Sequence, residues 1–193
     1  MFAVRIHGRG GQGVVTAAEM LSVAAFAQGL HAQAFPTFGS ERTGAPVVAY
    51  CRIDEAPLRA HDPVDVPDAL LVQDPTLLHQ IRWFEGMSEH SYLLVNTARP
   101  LNDLRIDEHL ARLDPHRVAT VAATDISRRL LGRALPNTGL LGAFAAQTGQ
   151  VNLESVSAAI RRRFDGMTAE ANVGCASEAF DAVSATVSRQ FHD

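Results

Sequence analysis

Gly8-Arg9-Gly10-Gly11-Gln12-Gly13, seven residues in from the start, is the stretch whose reading decides the fold. Before it, Phe2-Ala3-Val4-Arg5-Ile6-His7 reads as a short, mostly apolar strand; after it, residues 14–28 read as an alanine-rich helix closed by Gly29. Gly8, Gly10 and Gly13 satisfy the G-x-G-x-x-G spacing in the strand–turn–helix context that gives the motif meaning. Glycines let the backbone turn sharply and approach a ligand closely, and the start of a helix offers N–H groups without intrahelical partners to an anion. The expected site is one for a phosphate or pyrophosphate, with Arg9 adding positive charge. A dinucleotide site would also want an acidic residue about 20 residues further on, to hold a ribose. His31-Ala32-Gln33-Ala34-Phe35 supplies none. The plain alternative is a tight strand-to-helix turn that binds nothing.

Working outward, Ala32-Gln33-Ala34-Phe35 and Val47-Val48-Ala49-Tyr50-Cys51-Arg52-Ile53 read as strands. The link between them, Pro36-Thr37-Phe38-Gly39-Ser40-Glu41-Arg42-Thr43-Gly44-Ala45-Pro46, is too short for a helical crossover, so the two strands are expected as antiparallel neighbours. Two Pro, two Gly, hydroxyls and a Glu-Arg pair suit a shaped polar binding loop as well as an ordinary surface connection. Ala69-Leu70-Leu71-Val72, Ser91-Tyr92-Leu93-Leu94-Val95 and Arg117-Val118-Ala119-Thr120-Val121 are further strands. Asp74-Pro75 starts a helix near Thr76, and Asp125 is expected to cap a helix running to Leu131. Pro136-Asn137-Thr138 opens an apolar helix that Gly149 ends; Leu153, Val156, Ile160 and Phe164 mark another, and Thr168 is expected to cap the last.

The expected fold is one three-layer α/β/α domain spanning residues 1–193. It is Rossmann-like, with a mostly parallel mixed sheet, an antiparallel strand pair and helices on both faces. Ligands of such sheets sit beyond the carboxyl ends of the strands, where the glycine turn also lies. The 193 residues are 47% hydrophobic and 20% charged, enough for a full core and against disorder. A net charge of −4 and a pI near 6.0 argue against a nucleic-acid binder. No apolar run approaches the ~20 residues that span a bilayer, so no membrane is expected. The two cysteines, Cys51 and Cys175, read as free thiols of a cytoplasmic protein and cannot by themselves hold an iron–sulfur cluster. The eight histidines lack paired metal-ligand spacing, and no G-x-S-x-G elbow occurs. No catalytic acid/base set is visible, and the chain reads as a binding module.

Gly8-Arg9-Gly10-Gly11-Gln12-Gly13-Val14-Val15-Thr16-Ala17-Ala18-Glu19 resembles the opening of the gamma subunit of 2-oxoacid:acceptor oxidoreductases, the pyruvate:ferredoxin oxidoreductase family. The resemblance continues through residues 35–47, Pro67-Asp68-Ala69-Leu70, Gln73-Asp74-Pro75-Thr76-Leu77-Leu78, Pro136-Asn137-Thr138 and Ala169-Glu170-Ala171-Asn172. It implies a complex that decarboxylates a 2-oxoacid on thiamine diphosphate and passes the electrons through clusters to ferredoxin or to an NAD-reducing subunit. The acyl group then goes to coenzyme A. Thiamine diphosphate, Mg and [4Fe-4S] clusters would belong to alpha, beta and delta-type partner subunits, and this chain would meet coenzyme A. On that reading Gly8, Arg9, Gly10, Gly11, Gln12 and Gly13 cradle its phosphates, and Gly39, Ser40, Glu41, Arg42, Thr43 and Asn137 approach the same cleft. No residue of this chain is expected to be catalytic or to bind metal. Which 2-oxoacid is used stays open. So do two rivals: a purely structural interface subunit and an independent NAD(P)-binding dehydrogenase.

Overall fold

Six strands, among the residues described by the computed structural model (1–36, 43–59 and 62–190), form one sheet in the order β2–β3–β1–β4–β5–β6. They are β1 (Phe2–Arg9), β2 (His31–Pro36), β3 (Pro46–Asp54), β4 (Ala69–Val72), β5 (Tyr92–Asn96) and β6 (Val118–Val121). β1, β4, β5 and β6 run parallel, in register from Val4↔Ala69 through Leu71↔Leu94 to Val95↔Thr120. Their carboxyl ends therefore share one edge. The expected antiparallel pair is present as β2 and β3, with Ala34 opposite Cys51. β3 also runs against β1, Ile6 opposite Ala49, so it is inserted between its own hairpin partner and the first strand.

The helices are α1 (Val14–Ala27), α2 (Asp107–Leu110), α3 (Ala123–Leu131), α4 (Asn137–Thr148), α5 (Leu153–Arg163) and α6 (Gly166–Gln190). The long ones gather on one face. Val4, Ile6, Ala49, Cys51, Leu71 and Leu94 from the sheet join Leu21, Phe144, Ile160 and Cys175 from the helices in one buried cluster. Over β4–β6 the opposite layer is thin: 3-10 turns at Pro75–His79, Leu101–Leu104 and Pro115–Arg117, with α2, put Leu78, Trp83, Leu104 and Leu113 against Leu70, Val72, Leu93 and Val95. Pro75 and Pro115 open the first and third of these turns and Pro100 precedes the second, and the helix expected near Thr76 is the 3-10 turn Pro75–His79.

Two helix starts differ from the sequence reading. Asp125 does not cap α3: the helix begins at Ala123, and the Thr124 N–H is instead received by the Asn96 carbonyl Oδ1 at the end of β5. Asp125 lies in the first turn and pairs with Arg128. α6 begins at Gly166, so Thr168 falls inside it. Asp74 does cap the turn that follows it, through Thr76.

Candidate functional site

The glycine turn stands where β1 ends and α1 begins, and its glycines do different jobs. Gly11 (φ 93°) and Gly13 (φ 72°) adopt the left-handed conformation that side chains rarely accept. Gly8 is needed for packing, since a Cβ there would lie 2.5 Å from Val14 Cγ2. At Gly13 a Cβ would lie 2.6 Å from Asn137 Nδ2, so the starts of α1 and α4 touch. The turn is also stitched to the approach to β3: the Gly10 N–H donates to the Ala45 carbonyl, and the Gly44 N–H to the Gly10 carbonyl.

The two polar side chains of the turn face protein partners. Arg9 donates from Nε to Asp74 Oδ2 (3.1 Å), from Nη1 to the Gly44 carbonyl (3.0 Å), and from Nη2 to Thr76 Oγ1 (2.7 Å) and Gln80 Oε1 (2.9 Å). Gln12 accepts the Arg9 N–H on Oε1 and donates from Nε2 to Asp74 Oδ2 (3.0 Å). Burial alone would raise the pKa of Asp74. Hydrogen bonds from the Thr76 hydroxyl and N–H, from Gln12, and the Arg9 charge outweigh that, and hold its carboxyl below the usual range.

Backbone donors are what remains open. The first intrahelical bond of α1 runs from the Ala17 N–H to the Gly13 carbonyl, and no side chain caps the helix. Among the described residues, the N–H groups of Gly11, Gly13, Val14, Val15 and Thr16 meet no acceptor. They border a cavity of about 560 Å³, with Arg9, Thr43 and Val47 on its other walls. Uncapped N–H groups and the positive end of a helix dipole, opening on one cavity, make a place for an anion.

The structure thus brings together Gly10, Gly11, Gly13 and Thr43 of the sequence-derived set. Arg9 borders the same cavity, but its guanidinium is engaged behind the turn. Gly8 and Gln12 support the turn from outside that cavity. Asn137 touches Gly13 yet lines a separate cavity of about 470 Å³ beside Leu135, Phe164 and Met167. Gly39, Ser40, Glu41 and Arg42 lie outside the described residues. Val14, Val15 and Thr16 were not singled out from sequence, although the first turn of a helix always carries such donors. That Asp74, Thr76 and Gln80 meet Arg9 had no local signal, because they stand more than 60 residues away in the chain. Among the described residues no group of three or more His, Cys, Asp or Glu could hold a metal ion. Cys51 and Cys175 are both buried, one on β3 and one on α6.

Known proteins resemble this chain along nearly its whole length. Residues 3–182 match the model of the pyruvate ferredoxin/flavodoxin oxidoreductase family. The pyruvate/ketoisovalerate oxidoreductases common subunit gamma of Pyrococcus abyssi is 45% identical over 181 residues, covering 94% of this chain and 96% of that one. The crystal structure of the pyruvate oxidoreductase subunit PORC of Thermotoga maritima superposes with a TM-score of 0.79 at 36% identity, covering 93% of this chain and 95% of its own. A 2-oxoglutarate:ferredoxin oxidoreductase of Magnetococcus marinus, solved with 2-oxoglutarate, coenzyme A and succinyl-CoA bound, shares the fold. Its TM-score is 0.71 at 16% identity, over 97% of this chain and 31% of that one. The chain belongs to the pyruvate ferredoxin/flavodoxin oxidoreductase family, as a gamma-type subunit.

Proposed function

We propose that this chain serves a 2-oxoacid:acceptor oxidoreductase complex by holding the phosphates of coenzyme A on the backbone of its glycine turn. The observation that carries this reading is the set of unpartnered N–H groups of Gly11, Gly13, Val14, Val15 and Thr16, opening on the cavity at the start of α1. A pyrophosphate brings several acceptor oxygens and negative charge to such donors, which satisfy it without a dedicated cation. The coenzyme A bound in the Magnetococcus marinus protein supports the ligand class. The donor set does not suit the other groups of the complex. Two separated, buried cysteines cannot ligate a [4Fe-4S] cluster, and the described residues offer no cluster of carboxylates for Mg. As the family resemblance implies, we assign thiamine diphosphate, Mg and the clusters to alpha, beta and delta-type subunits, with ferredoxin or an NAD-reducing subunit as acceptor. The Pyrococcus abyssi relative is named a common subunit of pyruvate and ketoisovalerate oxidoreductases, which supports placing the choice of 2-oxoacid outside this chain. Two free thiols fit a reducing, cytoplasmic setting.

The test uses the assembled complex. Gly13→Ala puts a Cβ against Asn137 and strains a left-handed residue; Gly11→Ala adds the strain alone, since nothing lies within 4 Å of its Cβ position. Both should raise the KM for coenzyme A, Gly13→Ala by about tenfold or more, equivalent to about 1.4 kcal/mol. The coenzyme A-independent decarboxylation should keep its rate. Equal loss of both steps in a fully assembled complex would favour a purely structural subunit.

A further inference from the structure

We propose that Arg9 is a positioning residue, which locks the glycine turn in its anion-ready shape and does not itself take the anion. This rests on the coenzyme A reading above. The guanidinium presents five N–H bonds in a rigid planar fork. Four of them are already directed at Asp74, Gly44, Thr76 and Gln80, at 2.7 to 3.1 Å. The Asp74 carboxylate lies against that cation and is itself fully subscribed: Oδ2 accepts from Arg9 and Gln12, and Oδ1 from the Thr76 N–H and hydroxyl. A guanidinium whose charge is matched and whose donors are engaged has little to offer a phosphate.

What it does offer is geometry. Arg9 ties together three stretches of chain: the turn itself, the segment entering β3 through Gly44, and the 3-10 turn after β4 through Thr76 and Gln80. Gln12 closes the inner loop by gripping the Arg9 N–H with one end of its amide and Asp74 with the other. Gly10, Gly11 and Gly13 lack side chains of their own, so the direction of their N–H bonds is set by this clasp on either side. Lysine could not replace it, because a single ammonium on a flexible stem does not span four acceptors lying in a plane.

The two roles predict opposite signs for one substitution. In the assembled complex, Asp74→Asn would help a phosphate-binding arginine, since it frees the cation and removes a negative charge beside the anion. If Arg9 positions the turn, Asp74→Asn loosens the clasp and raises the KM for coenzyme A by several-fold. Arg9→Ala should raise it by about tenfold or more, Arg9→Lys should fail to restore it, and Arg9→Ala with Asp74→Asn together should be no worse than Arg9→Ala alone. In each variant KM should rise by more than kcat falls. A KM that falls or stays unchanged in Asp74→Asn, or recovery by Arg9→Lys, overturns the positioning role. That result is separable from failure of the coenzyme A reading: there, Gly11→Ala and Gly13→Ala would also leave the KM untouched.

Discussion

Along β1, Val4 and Ile6 turn toward the long helices while Arg5 and His7 turn the other way, and all four are buried. On the helix side nothing polar from the strand needs a partner. The layer is closed by direct backbone approach, most tightly at Gly142 of α4, where a Cβ would run into the Ala176 carbonyl of α6. On the opposite side, the charge is accommodated by feeding it carbonyls. Arg5 donates to the Trp83 (2.7 Å), Glu85 (2.6 Å) and Val64 (3.3 Å) oxygens, and Arg52 to the Asp62 and Pro63 oxygens. The connections before and after β4 thus hang on two arginines of the sheet. One strand can therefore build a finished apolar core and a polar anchoring face, and the two should fail differently.

The largest effect is expected where the helix face is tightest. Alanine favours a helix over glycine by about 1 kcal/mol, but at Gly142 the obstacle is a backbone carbonyl that cannot rotate away. Gly142→Ala should lose about 4 kcal/mol or more, beyond the usual ~1–3 kcal/mol of overpacking. Chemical denaturation reads this directly; a loss under 1 kcal/mol would mean that α4 and α6 can slide apart.

The polar face should answer to pH instead. Both ring nitrogens of His7 are buried without a partner. Burial, with Arg5 adding to it, pushes its pKa down from 6.5 to about 4. Between these values the unfolded chain binds more protons at this site than the folded one, so stability is complete above pH 6.5 and drains away as pH falls toward 4. The site accounts for about 3 kcal/mol across that window. Urea titrations at pH 7 and pH 4.5 should show a smaller drop in His7→Gln than in the parent chain. An identical drop in both would place a proton partner beside His7 and undo the contrast between the faces.

The smallest effect has the opposite sign and marks where the helix layer has room. Gly174 of α6 would bring a Cβ into ordinary contact with Leu130 Cδ1 at 3.5 Å. Gly174→Ala should therefore stabilise by about 0.5–1 kcal/mol, seen as a modest rise in Tm.

The sequence by itself determined the strand–turn–helix opening, the antiparallel β2–β3 pair, the apolar α4 and the cap at Asp74. Each follows from signals local in the chain: left-handed φ angles that call for Gly11 and Gly13, a link too short for a helical crossover, apolar residues along a helix, a carboxylate two residues before an N–H. The whole-chain resemblance led to the family, which no local rule could supply. Tertiary structure alone decided how the polar groups of the turn are used. Arg9 carries the same charge in any conformation, but only the fold sets Asp74, Thr76 and Gln80 around it. Likewise Asn96, not Asp125, receives the Thr124 N–H because the ends of β5 and α3 meet in space. A side chain's chemistry is written at its own position; its partners depend on chain segments that become neighbours only when the sheet assembles.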